Sequence, residues 1–387
     1  MANDHFVPRH YLRQFTINES EFIAVANVSP YKFVGSKGIG GQCCEDDFYE
    51  NNNALNKLLG VSENDLAPVL VRVIKNQDFD TKEINALKML AVFLNVRTKK
   101  AIEAAKVFPK FIAKAFIESA IKQGKLPPIP EGNSLDEAID FKNVAGVLMQ
   151  QMIPCWMETQ TLSAKLLKAQ NGTCFITSDN PVAVLNQFAL GADPMRSFAG
   201  FSQSGFQLLM PISPNLCLII YDAKVYKIGS RRHRIIEISK ADVEIINSLQ
   251  VQSADNCLYF HEPKMEQEVQ NLVARYANLR IPLRDFLETF PSKDNNEEII
   301  KVSNETVKLP KAWNICSYRR HIKFKPGDRR DPAWTALADQ LMKDFDQNPN
   351  GGDVFARLEK ITLHNLSHIL PQPGLLVTEK ENRPASP

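Results

Sequence analysis

A chain of 387 residues is long enough for one large domain with an appendage, or for two domains of ordinary size. With 44% apolar and 23% charged residues it lies near the globular average, which excludes a fibrous repeat and wholesale disorder. A net charge of +2 is too balanced to turn the whole surface into a nucleic-acid or membrane attractor, so any basic patch must be local.

The opening, MANDHFVPRHYLRQF, has no cationic stretch followed by an apolar core and does not read as a secretory leader. Pro8 suits the first position of a short helix that places Tyr11, Leu12 and Phe15 on one face, with His5 just upstream. Residues 21–28 and 31–34 carry β-favouring side chains around Ser29-Pro30 and predict an extended pair, followed by a glycine-rich turn, GSKGIGG, and CCEDDFYE. From Asn51 to roughly Ala169 the pattern predicts helix almost throughout. Asp80 and Glu83 form a capping box there, Ile84 to Val96 is apolar on nearly every side, and Arg97 closes that run. Pro109 is expected to kink or divide the next helix; Ser134 and Glu137 mark another helix start, and Pro154 should bend it.

After Asn171-Gly172 the texture turns to β: TCFIT, FQLLM and LCLIIYD are short strand-like runs separated by TSDNP, PISPN and a long loop from Asn186 to Ser204. The longest apolar run, Leu208 to Tyr221, is broken by Pro211 and Pro214 and falls short of the roughly 20 residues a membrane helix needs, so no membrane partner is expected. Residues 241–254 and 263–278 predict helices flanking a last strand, CLYF. A polar transition then places a boundary near Phe290. The expected architecture is an α+β, helix-rich domain over 1–290 with a small mixed or antiparallel sheet, plus a helical or irregular C-terminal extension over 291–387. The seven cysteines are odd in number, scattered, and form no C-x-x-C pair; they fit reduced, buried thiols and a cytoplasmic address.

Several motif classes fail. GSKGIGG lacks the Gly-Lys-Ser/Thr ending of a nucleotide P-loop and has the wrong spacing for a dinucleotide fingerprint. G-F-S-Q-S-G over 200–205 departs from the nucleophile elbow and sits in a loop. His364 and His368, four apart, lack further ligands and read as a surface pair. Two stretches are locally basic and are candidates for phosphate-backbone contact. One is Arg231-Arg232-His233-Arg234; the other runs from Tyr318 to Arg330, with Arg319, Arg320, His321, Lys323, Lys325, Arg329 and Arg330. A solvated charged face is the plainer reading of both.

More informative are polar residues set among apolar ones: His5, Glu45 with Asp46 and Tyr49, Arg97, and Ser178-Asp179-Asn180 at a strand end before Pro181. Reacting groups are often mounted at such strand ends, yet Asp and Asn before Pro also form turns for structural reasons alone. HFVPRHYLRQF resembles the opening signature of the bacterial domain of unknown function 4238 family, through His5, Pro8, Tyr11, Leu12 and Phe15. Later elements agree in order: EDDFY, the Arg97 region, FITSDNP, the strand ending in PISP, and Asn247 followed by Ala254, over about residues 1–265. The resemblance singles out His5, Glu45, Tyr49, Arg97, Asp179, Asn180 and Asn247 and supplies no reaction. The doubled Asp46-Asp47 lets the acidic position fall on Glu45 or Asp46.

Two functions fit these residue types. In the first, a phosphodiester hydrolase acts on RNA or DNA, as a nuclease-like toxin or phage-defence effector. His5 is its acid or base, Glu45, Asp179 and Asn180 are further polar groups of the site, and Arg97 stabilises an anion, with or without Mg²⁺. In the second, a binding or regulatory module uses the same groups as a buried network knitting the N-terminal turn to the sheet. Convergence of His5 and Asp179 on an open cavity favours the first, and burial with paired polar atoms the second.

Overall fold

The computed structural model describes residues 3–49, 52–130, 134–135, 139–189, 200–230, 232–280, 287–291, 298–302, 307–310 and 313–347. Strand β1 (Asn3–His5) pairs antiparallel with β4 (Cys44–Asp46), which brings the N-terminus back against the segment after the glycine turn. Pro8 lies one residue before helix α1 (Arg9–Leu12), with extended dihedrals, and its carbonyl accepts from the N–H groups of Tyr11 and Leu12. β2 (Phe22–Val28) and β3 (Tyr31–Gly38) form the expected pair; Gly35 to Gly38, expected in a turn, belong to β3, and the chain turns at Ile39–Gly41.

Helices α2 (Asn53–Asn76), α3 (Thr81–Arg97) and α4 (Lys99–Lys122) follow, then α5 (Val144–Thr159). The capping box at Asp80 and Glu83 is formed, and α3 is buried on all sides from Leu87 to Phe93, as its composition demands. α4 continues through Pro109 without division. Glu137 lies outside the described residues, and the helix that carries Pro154 begins at Val144.

The expectation of helix to Ala169 is overturned by β5 (Ser163–Ala169). SAKLLKA has no caps and no clear period of its own. Its Leu166 and Leu167 are fully buried because β5 has a partner on each edge, so tertiary pairing outweighs local propensity. Further along lie β6 (Thr177–Ser178), β7 (Ala183–Leu185), β8 (Gln207–Ser213), β9 (Leu216–Tyr221), β10 (Tyr226–Ile228) and β11 (Ile235–Ile238). They are followed by α6 (Lys240–Ser253), β12 (Cys257–Phe260), α7 (Glu266–Tyr276), β13 (Leu287–Pro291), β14 (Glu298–Val302), β15 (Cys316–Tyr318) and α8 (Pro332–Gln347).

The fold is α+β, as expected, and among the described residues it has two main sheets where one small sheet was expected. A mixed, five-stranded sheet has the order β11-β5-β9-β8-β7, with only β11 and β5 parallel; an antiparallel, four-stranded sheet has the order β3-β2-β12-β6. Strands β8 and β9 are buried along their whole length, which is why their sequences read as continuous apolar runs. Helix α6 serves both sheets. Ile245, Ile246 and Leu249 pack in one apolar cluster with β5, β8 and β9, while Val251 joins a second with β2, β12 and α7.

Packing divides the chain into the units Met1–Ala338 and Asp339–Pro387, the second described only as far as residue 347. The boundary expected near Phe290 falls inside the first unit, where Trp313, Arg330 and Trp334 are buried. Strands β14 and β15 occupy part of the region expected to be helical or irregular. Among the described residues no helix is long and apolar enough to cross a membrane.

Candidate functional site

The N-terminal signature residues meet at the C-terminal end of α3. β1 sets His5 opposite Cys44, and the His5 Nε2 atom lies 3.1 Å from the Gly40 carbonyl. The His5 carbonyl accepts hydrogen bonds from the Arg97 guanidinium and from the Tyr49 hydroxyl. Arg97 is only 2% exposed; its Nε donates to the Tyr49 hydroxyl at 3.2 Å and its Nη1 to Glu63 at 2.7 Å. Burial opposes the charge on this guanidinium, and the facing Tyr49 and Glu63 more than restore it, so its pKa rises. Glu45 takes no part in this cluster: its half-exposed carboxylate pairs with Lys99.

Tyr11 carries the turn into the sheets. Its buried hydroxyl donates to the Pro211 carbonyl of β8 at 2.5 Å and lies 2.8 Å from Thr177 Oγ1 of β6, so one side chain ties the two sheets together.

The second cluster forms where TSDNP meets the end of α6. The buried Asp179 carboxylate accepts from three consecutive backbone N–H groups, those of Asp255, Asn256 and Cys257, each at 2.8 Å. Burial pushes its pKa up to about 6, while the three N–H bonds pull it down. Asn180 receives Thr98 Oγ1 at 2.8 Å and donates to the carbonyl and hydroxyl of Ser253 at 3.0 and 3.1 Å, which locks the α3–α4 junction to the end of α6. Asn247 accepts from Ile176 N–H at 3.0 Å and donates to the Cys174 carbonyl at 2.9 Å. Lys100 donates to the Ser253 and Ala254 carbonyls, a cation at a helix C-terminus, and burial lowers its pKa to about 8.

The two clusters touch through Arg97 and its neighbour Thr98. A cavity of about 160 Å³ beside them is lined by Asn180, Lys100, Asn95 and Ser253 among others; His5, Glu45, Arg97 and Asp179 are not in its wall. Asn180, which does reach the cavity, has both ends of its amide engaged. Among the described residues no group of three or more His, Cys, Asp or Glu is gathered to hold a metal ion. Glu63 and Ser253 carry no local mark in the sequence, whereas Thr98 caps α4, its hydroxyl accepting from the Ala101 N–H, a helix-start signal that the sequence offers inside a longer helical run.

The basic candidates separate as well. Arg231 lies outside the described residues, as do His364, His368 and residues 190–199 of the long loop. Arg234 donates to the Phe79 carbonyl and lies against the Phe79 ring, and Arg319 donates to the Ala223 carbonyl at 2.5 Å. Arg330 is no surface cation: it is 1% exposed and makes four hydrogen bonds to internal acceptors. Arg232 and Arg320 are exposed.

No curated protein and no solved structure matches the chain. Residues 3–264 match the family described as "Protein of unknown function (DUF4238)", and this span contains every residue of the two polar clusters. The chain belongs to that family.

Proposed function

We propose that the chain is a non-catalytic binding module, in which His5, Tyr49, Arg97, Asp179, Asn180 and Asn247 hold the N-terminal turn, the α3–α4 junction, α6 and the sheets in one arrangement. The observation that carries this reading is the Asp179 carboxylate closed off by three backbone N–H groups. A carboxylate so engaged, 6% exposed, has three of its roughly four acceptor sites taken by backbone N–H groups. The Arg97 guanidinium is likewise turned inward, onto Glu63, Tyr49 and the His5 carbonyl. The hydrolase reading, with its nuclease-effector role, needs these same atoms free. A cytoplasmic address belongs to the module reading, supported by seven cysteines that are all free thiols.

The test is incubation of the purified chain with end-labelled RNA and single-stranded DNA, with Mg²⁺ or Mn²⁺. Intact oligonucleotide is expected, together with a lowered melting temperature for Asp179→Ala, which leaves three N–H groups without their acceptor, and for Arg97→Met. Cleavage by the native chain that disappears in a folded Asp179→Asn variant overturns the proposal.

A further inference from the structure

The geometry points to an extended single-stranded nucleic acid as the partner, held along residues 318–329. This inference rests on the binding-module reading and names the class of molecule the module takes. The segment lies beyond the part of the chain matched by the family.

The strip is anchored at both ends. At one end β15 pairs with β10, with Tyr318 opposite Tyr226, and the Arg319 N–H donates to the Val225 carbonyl at 2.9 Å. At the other end the buried Arg330 donates to Thr161 Oγ1 at 2.8 Å and to the carbonyls of Gln203, Glu158 and Phe201 at 2.9 to 3.1 Å. Between the anchors exposure alternates residue by residue from His321 to Lys325. Ile322 turns toward the core cluster and Phe324 sits half-buried beneath the Lys224 ammonium, 5.8 Å from its ring centre. His321, Lys323 and Lys325 are exposed at two-residue intervals, with Arg320 beside them. A turn at Gly327, held by the Lys325 N–H on the Asp328 carboxylate at 2.7 Å, then sets the exposed Arg329 against Gln203.

Among the described residues, no carboxylate pairs with the side chains of Arg320, Lys323, Lys325 or Arg329. Of the two nearby acids, Asp328 takes the Lys325 backbone and Asp331 pairs with Lys224. The result is a row of unneutralised cations on a segment fixed at both ends. A two-residue step spans at most about 7 Å, a spacing that successive phosphates of an extended strand can match. Tyr318 adds a base platform: its ring is 51% exposed, packed by Tyr226 at 5.5 Å, with its hydroxyl tied to the Gln187 carbonyl at 2.8 Å. Fixed aromatic rings beside a cationic track are how single strands are held without reading sequence. A single row of cations suits one strand better than the two phosphate rows of a duplex, and the inward Ile322 and Phe324 leave little apolar surface beside the Tyr318 ring to enter a bilayer.

The experiment is fluorescence anisotropy of the full chain with a labelled oligo(dT) of about 20 nucleotides across a salt series. Four phosphate contacts give a slope of log affinity against log salt of about −3. Arg320→Gln/Lys323→Gln/Lys325→Gln should flatten that slope by about 2, and the corresponding Glu variant should weaken binding more than 100-fold. Tyr318→Ala should weaken it by about 5- to 150-fold with the slope unchanged. All four positions are exposed, and an unaltered melting curve certifies each variant as folded. Wild-type binding by the Gln variant overturns the inference, as does tighter binding of duplex DNA or phosphatidylglycerol vesicles that ignores Tyr318→Ala. Cleavage of the oligonucleotide with the same strip dependence would instead sink the module reading and leave the strip in place.

Discussion

Asp179 and His10 are buried groups whose charge is displaced in opposite directions. Burial, opposed by Glu63, holds His10 down to about 4 from 6.5, and burial lifts Asp179 from 3.8 to about 6. The unfolded chain binds more protons at His10 between pH 4 and 6.5, so that contribution to stability rises with pH across the window. The folded chain binds more at Asp179 between pH 3.8 and 6, so that contribution is full below the window and is lost as pH rises through 6. Compared with the native chain, His10→Leu should show a stability that falls more steeply from pH 4 to 6, and Asp179→Asn one that climbs more steeply. Urea midpoints at several pH values decide this, and a change of slope in the other direction refutes the burial account. Arg97→Ala removes one partner from a buried network and should cost about 3–5 kcal/mol in urea unfolding. Arg97→Lys should recover little, since a single ammonium does not reach Glu63, the Tyr49 hydroxyl and the His5 carbonyl in the fork geometry the guanidinium provides. A loss under about 1 kcal/mol would show that the cluster holds nothing together.

At the level of elements, Tyr11 is the bolt between sheets that are otherwise joined through α6. Tyr11→Phe keeps the ring packed and removes the hydroxyl, leaving the Pro211 carbonyl without its donor; the expected loss is about 1–3 kcal/mol. Amide hydrogen exchange should speed up in β6 and β8 together. Acceleration confined to α1 would mean that the hydroxyl serves only its own turn. The Asp80 and Glu83 pair is the contrasting case, a cap read within one turn, although Glu83 also pairs with Arg72 of α2: Asp80→Ala should cost about 1 kcal/mol and fray the start of α3.

For the whole molecule, the segment after β14 completes the core rather than extending it. Val307 and Trp313 belong to the apolar cluster of the five-stranded sheet, and Trp334 is buried with its indole N–H on the Met157 carbonyl at 2.9 Å. A chain cut after Pro291 loses two buried Trp side chains, each worth about 3–5 kcal/mol when truncated to Ala, which together approach the stability of a whole domain. It should lack a cooperative thermal transition, and a sharp melt near that of the full chain would place the domain boundary at Phe290 after all.

What could be read from the sequence is what short-range chemistry governs. The capping box and all-round apolar α3 were visible because both signals lie within one helix, and β8 and β9 because doubly covered strands are apolar at every position. The polar residues worth attention were also visible, through the signature around HFVPRHYLRQF and TSDNP. Tertiary structure alone decided what those residues do. Asp179 meets N–H groups of residues 255–257, and Arg97 meets Glu63 and the backbone of His5. Such partners are chosen by which strands pair, and pairing leaves no mark at either position. The same holds for β5, a strand only because β9 and β11 flank it, and for Arg330, which reads as one more surface cation until its four acceptors close around it.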